Sequence, residues 1–127
     1  MTRTEDKWAE QARYDLDTAS AMLASGRHLY VLFCCQQTIE KGLKAVIVKR
    51  TGEFPPRIHN LLRLAEAAKV SLEPDRKQLL GDLSAYYIQT RYPEEIESIG
   101  GSVTPETAEE ALRKTGEVAE WLFSMLK

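Results

Sequence analysis

Apolar residues recur at spacings of three and four through every long segment of this chain, and that period constrains the fold more than any other feature. From about Thr4 to Ser25 the stripe is Trp8, Ala12, Leu16, Ala19 and Leu23, closing at Gly26. A second segment, roughly Arg27 to Arg50, stops before TGEFPPR, where Gly52 and the Pro55-Pro56 pair enforce an extended turn. A short helix follows Asn60, a good N-cap, through LLRLAEAAK. A fourth starts at Pro74, a first-turn proline, and passes Leu79, Leu80, Leu83 and Tyr87 towards Thr90. The last begins at TPETAEEAL, with Thr104 as cap and Pro105 just inside, and continues through Leu112, Ala119, Leu122 and Leu126. Strand signals are almost absent, because the β-branched residues are scattered. The expected fold is all-α: an up-and-down antiparallel bundle of four longer helices plus one short helix. RYPEEIESIGGSV, between the fourth and fifth helices, reads as a loop and as the most mobile segment, since Pro93 interrupts it and Gly100 and Gly101 free its backbone.

With 127 residues the chain is expected to form one domain over 1–127, large enough for a real core. Charged residues make up 28% and the formal charge is −2, so there is no global attraction to nucleic acid or to an anionic membrane. Any such attraction must be local. Residues 41–69 carry Lys41, Lys44, Lys49, Arg50, Arg57, Arg63 and Lys69 against Glu53 and Glu66, whereas 94–120 is rich in glutamate. A basic patch of this kind suits the phosphates of a nucleotide or RNA, a basic-to-acidic self-association, or plain solvation. The start, MTRTEDKWAEQARYD, is charged where a signal peptide is apolar, and no run is long enough to span a bilayer. The expectation is a cytoplasmic protein without a membrane partner.

The second helix places polar residues on its apolar face. At about 3.6 residues per turn, Leu29, Leu32, Ile39, Leu43, Val46 and Ile47 share one arc, and Gln36 and Glu40 fall inside it. Lys44 sits near the edge of the arc, four residues after Glu40. In the first helix Asp15 projects between Trp8 and Met22, again inward. A buried carboxylate costs several kcal/mol unless it is paired or hydrogen-bonded. Asp15, Gln36 and Glu40 are therefore read as a structural polar network, at the edge of the core or at a subunit interface, with a ligand or catalytic role as the alternative. Arg91 is the first candidate partner, since a guanidinium bridges two acceptors; Lys44 and His59 come next.

Signals for catalysis are sparse. Gly100-Gly101 lacks the lysine and hydroxyl of a phosphate-cradling loop, and the two histidines, His28 and His59, lack metal-ligand spacing. Cys34 and Cys35 lie mid-helix and read as core filling in a reduced compartment. No metal or cofactor is expected.

Taken together, WAEQARYDLDTASAMLASGRHLYVLFCCQQTIEKGLKAVIV, then PPRIHNLLRLAE, then YYIQTRYP, resemble the HEPN domain family over nearly the whole chain. The resemblance is carried by Trp8, Asp15-Leu16, Gln37, Glu40-Lys41, Lys44-Ala45, His59 and Arg91-Tyr92-Pro93 in this order. It implies a helical bundle that commonly dimerises. Small prokaryotic members are often encoded beside a minimal nucleotidyltransferase and act with it as a toxin–antitoxin pair. It also implies nucleotide or RNA ligands, and for many members metal-independent ribonuclease activity through an arginine followed four to six residues later by a histidine. Here Arg91 is the matching arginine, but glutamates stand where that histidine would fall. The leading expectation is thus a homodimeric binding module, with Lys41, Lys44, His59, Arg91 and Tyr92 contacting a nucleotide, an RNA or a nucleotidyltransferase partner. The alternative is a ribonuclease using Arg91 with His59 as acid/base.

Overall fold

A computed structural model describes residues 3–89 and 91–127, and within them it contains six helices and no strand. These are α1 (Thr4–Ala24), α2 (His28–Thr51), α3 (Leu61–Ala68), α4 (Pro74–Ser84), α5 (Pro93–Gly100) and α6 (Pro105–Ser124). The caps explain most of the boundaries. The Asn60 side chain accepts from the Arg63 amide, and Thr104 accepts from the Thr107 amide, both at 3.1 Å. Pro74, Pro93 and Pro105 each occupy the first turn of a helix, where a missing N–H costs nothing. α2 ends at Gly52, whose φ of 72° a side chain would strain. α3 ends differently: Lys69 adopts φ 57°, and Arg50 Nη1 donates to the Ala68 and Lys69 carbonyls at 2.8 and 2.9 Å.

α2 is the central element. It packs against α1, α3, α4, α5 and α6, and 15 of its 24 residues are buried. α1 returns antiparallel to it after a three-residue connection and approaches through small side chains, Ala9, Ala12 and Ala19. α6 runs parallel to α2, since Gly42 lies against Leu122 and Arg50 reaches Met125. α4 runs antiparallel to α6, with Arg76 over the Trp121 ring and Leu83 near Ala111. Leu32, Ile39, Leu43, Leu61, Leu64, Leu80, Leu83 and Leu122 fill the centre of one hydrophobic cluster.

Three differences from the sequence reading stand out. First, the extended turn at 52–60 doubles back along α2, so the short helix α3 lies parallel to α2 and outside the antiparallel order. The eight residues from Gly52 to His59 can extend about 26 Å, whereas the stretch of α2 from Glu40 to Thr51 rises only about 16 Å. The paired prolines hold this segment extended, Pro55 is buried, and Ile58 packs on the core. Second, α4 stops at Ser84, and Thr90, where the sequence places its end, lies outside the described residues. The Ser84 hydroxyl donates to the Leu80 carbonyl and accepts from the Leu61 amide, tying this end to the start of α3. Third, the expected loop contains α5. Pro93 opens it, Glu94 and Glu95 favour its N-terminus, and the Glu95 carboxylate accepts from the Tyr92 amide at 3.3 Å. Gly100 ends it where α2 begins: a Cβ there would lie 3.2 Å from Leu29 Cδ2.

Candidate functional site

Gln36, Glu40 and Lys44 lie one turn apart along α2 and form a single polar line within the core, at 0, 4 and 7% exposure. Lys44 Nζ pairs with Glu40 Oε2 at 3.1 Å, and Gln36 Nε2 donates to Glu40 Oε1 at 2.9 Å. The returning segment completes the group. His59 Nδ1 lies 3.0 Å from Glu40 Oε1, and its backbone carbonyl accepts from Gln36 Nε2 at 3.1 Å. Gln37 Nε2 donates to Gln36 Oε1 at 2.8 Å. Every polar end of this line thus has a partner, which is what allows a carboxylate and an ammonium to remain inside.

Aromatic rings flank the line on both sides. The His59 ring stacks on Tyr87 with centroids 3.8 Å apart and planes inclined by 13°. Lys44 Nζ sits 5.5 Å from the Trp8 ring centroid. Burial and the Glu40 charge push the Tyr87 hydroxyl pKa above its ordinary value. His59 is only partly enclosed, its side chain 42% exposed, and with Trp8, Lys44, Phe54, Pro55 and Arg57 it lines a cleft of about 660 Å³. Phe54 is 94% exposed at the rim. Arg57 takes part in no ion pair among the described residues, so the cleft keeps one uncompensated guanidinium. A hollow of similar size between α4 and α6 is lined by Glu106, Glu110 and Lys114 over Leu79 and Leu83, but no buried titratable side chain lines it.

The remaining residues singled out in the sequence fall elsewhere. Asp15 pairs with Lys41, Oδ2 to Nζ at 2.7 Å, in a second inward ion pair bridging α1 and α2. The Lys41 charge is therefore already matched. Arg91 does not reach Glu40 or Asp15: Nη1 pairs with Glu95 at 3.3 Å, Nη2 donates to the Ala85 carbonyl at 3.1 Å, and Nε is buried without a partner. The cause is local, because α5 supplies a carboxylate four residues after Arg91. Arg91 lines a separate shallow hollow with Glu94, Glu95, Ser98 and Ile99, and Tyr92 beside it is 73% exposed. Of the five residues expected to contact a ligand, Lys44 and His59 share the cleft and Lys41, Arg91 and Tyr92 do not line it. Trp8, Phe54 and Arg57, absent from that expectation, do line it. The signal for Phe54 and Arg57 was their bracketing of two prolines in EFPPR.

Cys34 and Cys35 are buried and free. Burial first, then the Asp15 charge, pushes the Cys34 thiol up to about 11, with Lys41 opposing. Burial pushes the Cys35 thiol up to about 12. Neither is an activated nucleophile. Among the described residues no three His, Cys, Asp or Glu side chains gather as a metal site, and no helix is long and apolar enough to cross a membrane.

A family model described as HEPN domain matches residues 6–126. Among solved structures, TT1696 from Thermus thermophilus is 28% identical and superposes with a TM-score of 0.82, covering 98% of this chain and 100% of that one. ST0689, described as an archaeal HEPN homologue, is 23% identical, with a TM-score of 0.76 over 99% of this chain and 100% of its own, a likeness of fold. No curated protein matches the chain.

Proposed function

The chain belongs to the HEPN domain family, and from that premise we propose that it is a binding module whose Trp8–Phe54–Arg57–His59 cleft takes a nucleotide or an RNA end. One observation carries this reading: exposed aromatic surface and an unpaired guanidinium border the same cleft, beside polar groups already satisfied from within. Stacking on an aromatic face is worth about 1–3 kcal/mol per base and tolerates any base, and arginine suits phosphate oxygens. Lys44 supports the cleft through its pair with Glu40, Lys41 is engaged by Asp15 and does not line it, and the phosphate is left to Arg57. In the cell the module would act as a cytoplasmic homodimer of one domain per chain. It would be the HEPN half of a toxin–antitoxin-like pair with a minimal nucleotidyltransferase.

Calorimetric titration with nucleotides and short RNAs at low and high salt tests the reading. Saturable binding that weakens with salt and falls at least tenfold in Arg57→Ala and Phe54→Ala supports it. No saturable binding by any nucleotide or RNA would leave partner recognition alone. A second reading, metal-independent RNA cleavage, draws on the Glu40–His59 contact, since a carboxylate-held imidazole suits acid/base work. Cleavage of mixed RNA lost in both Arg91→Ala and His59→Ala would put that reading first. Its weakness is that Arg91 is engaged with Glu95 and lines another hollow.

A further inference from the structure

The polar line on α2 determines which nitrogen of His59 is free. The His59 carbonyl only accepts, so the amide group of Gln36, and not its oxygen, must face it. Gln36 Oε1 is turned the other way and accepts from Gln37. The same Gln36 amide group donates to Glu40 Oε1, and Lys44 Nζ donates to Oε2, so both carboxylate oxygens act as acceptors. An ionised carboxylate has no hydrogen to give, so in the 3.0 Å contact with His59 the proton must be on Nδ1. Nε2 is left without a protein partner among the described residues, on a side chain that lines the cleft.

We infer that Glu40, set by Gln36, is a positioning residue that fixes His59 as the Nδ1–H tautomer, so that Nε2 offers a lone pair to the cleft and recognises a hydroxyl of the ligand. A lone pair does not suit a phosphate oxygen, which carries no hydrogen in the bound anion; it suits a donor. This inference rests on the nucleotide reading, and within that reading the donor is the ribose. Arg57 takes the phosphate, Trp8 and Phe54 offer faces to the base, and the sugar joins the two. The site then distinguishes ribonucleotides from their 2′,3′-dideoxy counterparts through His59, a position no cation on this surface can replace, since lysine and arginine only donate.

The test has two independent arms. Long-range 1H–15N correlation on uniformly labelled protein, recorded on the alkaline side of the ring titration, reads the tautomer directly; a His28→Gln variant assigns the two rings. The expected result is the Nδ1–H pattern for His59, reverting towards the Nε2–H pattern of free histidine in a Glu40→Leu/Lys44→Met double variant. An Nε2–H pattern for His59 in the wild-type protein overturns the inference, and this arm needs no ligand. The second arm compares ribonucleotide with 2′,3′-dideoxynucleotide affinity in the wild type, in His59→Gln and in His59→Asn. One hydrogen bond predicts a preference of about threefold to tenfold, kept in part by glutamine, whose amide reaches the Nε2 position, and abolished by asparagine, whose amide reaches only Nδ1. Equal affinities in the wild type overturn hydroxyl recognition while leaving nucleotide binding intact. No binding of either ligand, with the Nδ1–H pattern present, overturns the nucleotide reading and the ribose assignment with it, and keeps the positioning by Glu40.

Discussion

Replacing Glu40 with alanine is the most informative perturbation of this fold, because three partners converge on that carboxylate. Lys44 contacts one oxygen at 3.1 Å, and Gln36 and His59 contact the other at 2.9 and 3.0 Å. All the consequences act in one direction. Lys44 loses its counter-charge at 7% exposure, the Gln36 amide keeps only the His59 carbonyl, and the removed methylene and carboxylate leave a void beside the core. Breaking a buried pair from one side costs about 3–5 kcal/mol. Asp15→Ala removes a pair whose side chains are 17 and 19% exposed, so Lys41 can turn to water, and the expected loss is about 1–2 kcal/mol, between the exposed and buried regimes. The double replacement Glu40→Leu/Lys44→Met removes both charges and refills the space, and should recover most of the loss, since hydrophobic substitutes for buried pairs are often neutral or better. Urea unfolding followed by Trp8 and Trp121 fluorescence measures all three, and an unchanged m-value confirms that the denatured state is comparable. If Glu40→Ala costs no more than Asp15→Ala, or the double variant is no more stable than Glu40→Ala alone, the reasoning about buried charge is wrong.

The other predictions concern local geometry. Gly116 lies within α6 with nothing within 4 Å of an added Cβ, so Gly116→Ala should raise stability by about 0.5–1 kcal/mol through helix propensity. Gly42→Val should lower it by about 1–3 kcal/mol, because the first added carbon already lies 3.1 Å from Leu122 Cδ1 in the α2–α6 contact; thermal melts of the two variants check both signs. Thr104→Ala removes the hydroxyl that caps α6 and should cost about 1 kcal/mol in the same assay. Cys34 and Cys35 have folded pKa values near 11 and 12 against an ordinary 9.0. Their contribution is therefore fully present below pH 9.0 and is lost as pH rises towards the folded values, at up to about 1.4 kcal/mol per pH unit for each thiol. Unfolding free energies measured from pH 8 to 11 should fall more steeply in the wild type than in Cys34→Ala/Cys35→Ala; parallel profiles would refute the burial of these thiols.

What the sequence made legible was local. Asn60, Pro74, Thr104 and Pro105 announced helix starts because capping depends on a few adjacent residues. The inward aim of Gln36 and Glu40 followed from helical geometry alone, and Lys44, which Glu40 pairs with, stood second to Arg91 among the candidate partners. The partner role expected for Arg91 failed because reach across a fold is not encoded in residue type, and a carboxylate four positions away was nearer. α5 was missed although its signs were present, Pro93 followed by Glu94 and Glu95. Two glycines read as freedom, whereas Gly100 serves close packing on Leu29. The return of 52–60 along α2 was legible as an extended turn but not in its direction, which depends on Ile58 and Pro55 finding the core. With it went the stacking of His59 on Tyr87 and the cleft that Phe54 and Arg57 border.

A helix wetted on one side knows how to face: the solvent tells it. α2 has little such guidance, being enclosed over most of its circumference by five neighbours, and a rod of leucine, isoleucine and valine in that setting could turn about its own axis at small cost. Gln36, Glu40 and Lys44 act as a key cut along one side of that rod, and His59 is the ward it meets. Turned by one residue, about 100°, the key would leave His59 and lose both contacts to it, from the Gln36 amide and from the Glu40 carboxylate. An apolar replacement could match the folded energy and still lose this angular reference. The same three residues that orient the imidazole at the surface also fix the rotation of the helix at the centre.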